Sequence, residues 1–172
     1  AVSGAELAIS STGVLTFVSA PDFETKATYT ATVTVNDGVN NTTQAITVSV
    51  TNVNDIAPVI SSAATFSAAE NQTAIGSVVA TDAEDDPLTY SISGTELAIS
   101  STGVLTFASA PDFETKSSYT ATVTVNDGVN DTTQAITVTV TNVNDVAPVI
   151  SSDATFSAAE NQTAIGSVVA TD

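Results

Sequence analysis

Asn52, Asn54 and Asp55 lie in the stretch "TNVNDIAPVI", and Asn142, Asn144 and Asp145 lie in "TNVNDVAPVI" 90 residues later, from Thr51 to Thr141. Other oxygen-bearing side chains gather in similar short breaks. Glu70 stands in "AEN", Asp82, Glu84, Asp85 and Asp86 in "DAEDDP", Asp112 and Glu114 in "PDFE", and Asp127 in "NDGVND". Carboxylates and amides in this density suit a hard cation, and calcium takes six to eight such oxygens. Two carboxylates ~4 Å apart repel by about 4 kcal/mol at an effective dielectric of ~20, so converging breaks need cations between them. The chain has no His and no Cys, which leaves zinc without its usual ligands and excludes a disulfide framework. No nucleophile–base pair is present either, and the acidic groups repeat at module ends, so an enzyme is not expected. With 19 acidic residues against 2 lysines, the net charge of −17 opposes nucleic acid and anionic lipid surfaces.

The elements that must position these groups follow from an internal repeat. Residues 1–82 and 91–172 differ at only ten positions of the first copy: 1, 2, 5, 18, 27, 28, 41, 49, 56 and 63. Self-similarity at a fixed period marks a tandem array of one module. Within a period, Tyr119, Ala121, Val123 and Val125 alternate with threonines, as do Ile136, Val138 and Val140. Period two with β-branched residues predicts half-buried antiparallel strands, and no window carries a helical period. The polar breaks leave about seven short strands per module, the pattern of a Greek-key sandwich. Asp127-Gly128 predicts a type I′ hairpin, and Phe66, Tyr90, Phe107, Phe113 and Tyr119 are the expected large core residues. No apolar run reaches membrane-span length and the first residues lack a basic region, so neither a span nor a signal peptide is expected in this segment.

"AEN", "ATDAED", "YSI", "STGVLTF", "PDFE" and "NVND-x-AP", in this order and spacing across the whole chain, resemble the successive signatures of a cadherin repeat. The likeness is greatest to the cadherin-like arrays of large secreted bacterial adhesins of the RTX type. It implies an all-β fold of tandem seven-stranded Greek-key sandwiches, cadherin-like and immunoglobulin-like. Residues 1–55 would be the C-terminal part of one repeat, 56–145 a complete repeat, and 146–172 the N-terminal part of the next. It also implies calcium ligands at each junction. For the first these are Asp22, Glu24, Asn54, Asp55, Asp82, Glu84 and Asp127, with the Val53 carbonyl. For the second they are Glu70, Asp112, Glu114, Asn144, Asp145 and Asp172, with the Val143 carbonyl.

Departures from the family pattern fall at known places. Asp-x-Asp reads Asp82-Ala83-Glu84, which leaves Glu84 or Asp85 as the second acidic ligand. Phe113 replaces an Arg, Asn52 an Asp and Ile56 an Asn, and the absence of Trp removes Trp-anchored strand exchange. The function implied is a calcium-stiffened extracellular spacer of a bacterial surface adhesin, serving adhesion or biofilm formation, whose partners are adjacent repeats of the same chain. The alternative is a module that grips a glycan or its own kind. A further expectation is a head-to-tail contact between identical chains, in which residues 146–172 of one complete residues 1–55 of the next and Glu160 supplies the first junction's missing Glu.

Overall fold

The structure, a computed structural model, describes all of residues 1–172. Every regular element is a strand. The first segment holds β1 (Leu7–Ile9), β2 (Leu15–Phe17), β3 (Thr28–Asn36) and β4 (Asn41–Ser49). The middle segment holds β5 (Val59–Ile60), β6 (Thr65–Ala69), β7 (Ala74–Ser77), β8 (Ala80–Thr81), β9 (Thr89–Ile92), β10 (Leu97–Ile99), β11 (Val104–Phe107), β12 (Ser118–Asn126) and β13 (Asp131–Thr141). The last segment holds β14 (Val149–Ile150) and β15 (Ala170–Thr171).

The middle segment forms a two-layer sandwich, as the alternation of apolar residues and threonines requires. One sheet runs β6-β13-β12-β9, the other β10-β11-β7, and the short pair β5-β8 flanks them. β5 and β6 read as one strand broken at Ser61–Ala64, and β7 and β8 as one broken at Val78–Val79, which reduces the pieces to seven strands. β6 runs parallel to β13 while every other pairing is antiparallel. Between the layers, Val78, Leu105, Val123, Val125, Ile136, Val138 and Val140 are buried, whereas Thr120, Thr137 and Thr139 line the outward faces.

Two expectations are corrected. Of the five aromatics, only Phe107 is buried; Phe66, Tyr90, Phe113 and Tyr119 cover the edges of a core filled by branched aliphatics. Tyr119 packs edge-on to Phe107 at 5.1 Å and keeps its polar end toward solvent. The β12–β13 hairpin is not type I′ either. Asn126 pairs with Asp131 across the four residues Asp127–Asn130, and Gly128 alone has a positive φ, +101°. The Asp127 carboxylate accepts from the N–H groups of Val129 and Asn130, a side-chain cap that replaces the tighter turn.

The first segment keeps part of each layer, β1–β2 and β3–β4, with Phe17 edge-on to Tyr29 at 5.0 Å, but lacks the strands equivalent to β6, β7 and β9; the last segment has only the short pair β14–β15. Leu15 and Val35 are 38% and 66% exposed, while their counterparts Leu105 and Val125 are 0% exposed. β1–β2, β3–β4 and β14–β15 remain separate two-stranded sheets, so the first and last segments do not pair within the chain.

Candidate cation sites at the module junctions

At the first junction, carboxylates from three parts of the chain converge. Glu24 comes from the loop after β2, Asp55 from the linker and Glu84 from the loop after β8, with one oxygen of each lying within 4.8 Å of the others. A second group, Asp82, Glu84 and Asp86, shares Glu84. The loop is shaped around Asp82, whose Oδ1 accepts from the N–H groups of Glu84 (2.9 Å) and Asp86 (3.1 Å). Asp85, at φ 62°, makes the left-handed turn that swings Asp86 back. Asp85 itself points to solvent outside both groups. The sequence marks Asp86 as one of the acids of this break, but the resemblance offers Glu84 or Asp85 rather than Asp86, because which of three consecutive acids faces the group depends on one backbone angle.

Glu84 also clamps the linker. Its Oε1 accepts from the N–H groups of Asp55 (2.8 Å) and Ile56 (3.1 Å). Asn54 is held by the hairpin rather than left free: its Nδ2 donates to the Asp127 carbonyl (3.2 Å), and its Oδ1 accepts from Asn130 Nδ2 (2.9 Å). Asp127 is buried and joins no carboxylate group. Burial pushes its pKa up, but the Asn130 and Val129 N–H groups and the Asn130 and Asn54 amides outweigh this and hold it below the usual range. Asp22 is bound by the Thr25 N–H and hydroxyl, which lower its pKa. The pKa of Glu24 is raised: the favourable effect of its own N–H is outweighed by burial and by the Asp22 and Glu84 carboxylates.

At the second junction, Glu70, Asp112 and Glu114 form a third group within 4.8 Å. Glu70 is 3% exposed, and its two oxygens accept from the N–H groups of Phe113 (2.8 Å) and Val143 (2.6 Å), tying two loops to the exit strand. The Thr115 hydroxyl and N–H hold Asp112 and lower its pKa. Asn142, the equivalent of Asn52 at the position where the family pattern has an Asp, donates to Glu114 at 3.1 Å. Beside this group, Glu114, Asn144, Asp145 and Asp172 line a common cleft of ≈ 440 Å³, and Asp145 also accepts from the Asn71 amide. Glu160 lies in an exposed turn and joins no group.

Whether an ion fits can be judged from two atoms. Asp82 Oδ2 and Glu84 Oε2 are buried and have no hydrogen-bond partner. A carboxylate oxygen removed from water without a donor is costly. Both atoms sit on residues of the first-junction groups, and all the side-chain donors there are oxygens. That donor set matches a hard divalent cation.

Residues 54–141 match a family described as bacterial Ig domain. The chain belongs to that family. It is 40% identical over 97 residues to Cadherin-related family member 2 of Mus musculus, covering 54% of this chain and 7% of that protein. It is 36% identical over 124 residues to Chitinase A of Pseudoalteromonas piscicida, covering 70% of this chain and 15% of that protein. Among solved structures, the protocadherin gammaB7 EC3-6 cis-dimer superposes with a TM-score of 0.77 at 26% identity, over 88% of this chain and 43% of that one. The chain thus spans less than half the length of each of these proteins. This member of the bacterial Ig domain family has a cadherin-like, all-β architecture of the extracellular adhesion type, and none of its elements is a helix long and apolar enough to cross a membrane.

Proposed function

We propose that the chain is part of a bacterial surface spacer, an array of cadherin-like modules whose junctions bind calcium and stiffen, holding an adhesive part of a larger protein away from the cell. The observation that carries this reading is the pair of buried, partnerless oxygens, Asp82 Oδ2 and Glu84 Oε2, inside carboxylate groups drawn from two modules and their linker. Glu24, Asp55, Asp82, Glu84 and Asp86 would hold the first junction's ions, and Glu70, Asp112, Glu114, Asn144, Asp145 and Asp172 the second's. A bound cation supplies positive charge that turns mutual repulsion into a crosslink. The chain's own groups do the rest. Glu84 and Glu70 fix the linker through its N–H groups, Asn54 ties it to the β12–β13 turn, and Pro58 is fully buried with its carbonyl accepting from Thr132. The role is mechanical, and its partners are the neighbouring modules.

Extracellular modules typically bind calcium at ~10⁻⁴–10⁻³ M, so stability should rise through that range by mass action. The test is a thermal melt in chelator and in millimolar calcium. A clear increase in Tm is expected, with magnesium a poor substitute because it demands a smaller, more regular shell. An unchanged Tm would overturn the calcium reading.

A further inference from the structure

A cleft that borders the second-junction group only at Asp112 lies against Tyr119, with a volume of ≈ 380 Å³, inside the range of about 300–1,000 Å³ typical of ligand clefts. Its walls alternate two kinds of surface. Thr95, Ser109 and Thr115 offer hydroxyls and Glu96 and Asp112 offer carboxylates, while Ala108, Ala110, Pro111 and the Tyr119 ring offer apolar faces. Lys116 is already engaged, ion-paired with Glu96 Oε1 and seated 4.4 Å above the Tyr119 ring, so no free cation remains to attract an anion. The second Glu96 oxygen has no partner in the protein, leaving an open acceptor at the mouth.

The same cleft recurs one module earlier, lined by Ala5, Glu6, Val18, Ser19, Ala20 and Tyr29, but there it measures only ≈ 190 Å³. Two of the ten differences between copies fall on its walls. Val18 becomes Ala108, which withdraws two methyl groups, and Ala5 becomes Thr95, which adds a hydroxyl. Lys26 also engages both Glu6 oxygens, whereas Lys116 holds one oxygen of Glu96. In modules otherwise almost identical, the second cleft is larger and richer in free hydrogen-bonding groups.

We propose that the Tyr119 cleft of the second module binds one unit of a neutral saccharide. Hydroxyl donors on such a ring match the free Glu96 oxygen and the Ser109 and Thr95 hydroxyls, and its C–H faces match the alanines and the Tyr119 edge; Asp112 and Thr115, bonded to each other, form the wall beside them. An acidic sugar is disfavoured by the two carboxylates. The site goes beyond the spacer reading and does not depend on calcium, although Asp112 borders both.

The test is an amide-shift titration of the isotope-labelled 172-residue chain with glucose, galactose, mannose and N-acetylglucosamine, in chelator and in calcium. At least one sugar is expected to shift the amides of Thr95, Ser109, Ala110 and Thr115 in both buffers. The double substitution Thr95→Ala with Ala108→Val installs the residues of the first copy, so the fold tolerates it. It should weaken binding at least about tenfold. The proposal is overturned if no sugar moves those amides, if the double substitution leaves the affinity unchanged, or if the shifts require calcium and centre on Glu114 and Asp145.

Discussion

Glu84, a member of both first-junction groups, carries two opposed roles at one carboxylate: Oε1 fastens the linker, and Oε2 stands buried without a partner. Glu84→Gln keeps an acceptor for Asp55 and Ile56 but removes the charge. The expected result is a Tm in chelator equal to or above the parent's, with most of the calcium-induced rise lost; a full calcium response in the variant would exclude Glu84 as a ligand. The titration signs give a second expectation. Glu24 is raised above its ordinary 4.5, so its ionised form opposes folding at neutral pH, and that penalty fades as pH falls through its folded value. Asp22, Asp112 and Asp127 are lowered below 3.8, so their contribution is complete above that value and is lost as pH falls through their depressed values. Melts in chelator should therefore show stability level or rising from neutral pH to about 4.5, then falling in stronger acid. A steady decline from neutral pH would contradict the Glu24 assignment. Most of the carboxylates that meet were legible as types at spacings, because the groups sit in fixed breaks of the repeat. The choice of Asp86 over Asp85 was not, since it depends on the φ of 62° at Asp85.

At the scale of elements, the pleat does the sorting: β12 and β13 turn valines and Ile136 inward and threonines outward, as period two in the sequence requires. This part was readable without coordinates. The aromatics misled because size alone does not place a side chain between sheets; Tyr119 needs a wet edge for its hydroxyl, and Phe66 lies so close over Gly76 that a Cβ there would come within 3.3 Å of its ring. The hairpin misled because an Asp side chain can cap a four-residue loop as readily as Asp-Gly can close a two-residue one. The repeat also supplies an internal control for packing. Leu105 and Leu15 occupy equivalent places, yet one is 0% and the other 38% exposed. Leu105→Ala should cost about 2–5 kcal/mol, the range for a fully enclosed leucine, and Leu15→Ala clearly less. Urea unfolding followed through the sandwich measures both, and equal losses would mean that residues 1–55 are covered as fully as the middle segment.

For the molecule as a whole, the question is what calcium changes at a joint that is already hydrogen-bonded. The linker is held by Glu84, by the Asn54–Asn130 amide contact and by the buried Pro58, so the ion-free chain is tethered. Against these bonds act the three carboxylates of Glu24, Asp55 and Glu84, which repel one another within 4.8 Å. Asp55 is exposed and fills no core, so Asp55→Ala removes a charge without making a cavity. Two effects then separate: the tethers remain, while the cation loses a ligand that belongs to neither sandwich. Because the chain has no Cys, Ser11→Cys with Ser101→Cys places two unique spin labels on exposed turns of successive modules. Calcium should narrow the distance distribution between the labels in the parent and fail to do so at the same concentration with Asp55→Ala added. If calcium leaves the parent's distribution unchanged, the joint is set by its hydrogen bonds alone and the cation has no mechanical role. If the narrowing survives Asp55→Ala, the stiffening ion is held by Asp82, Glu84 and Asp86 without help from the linker.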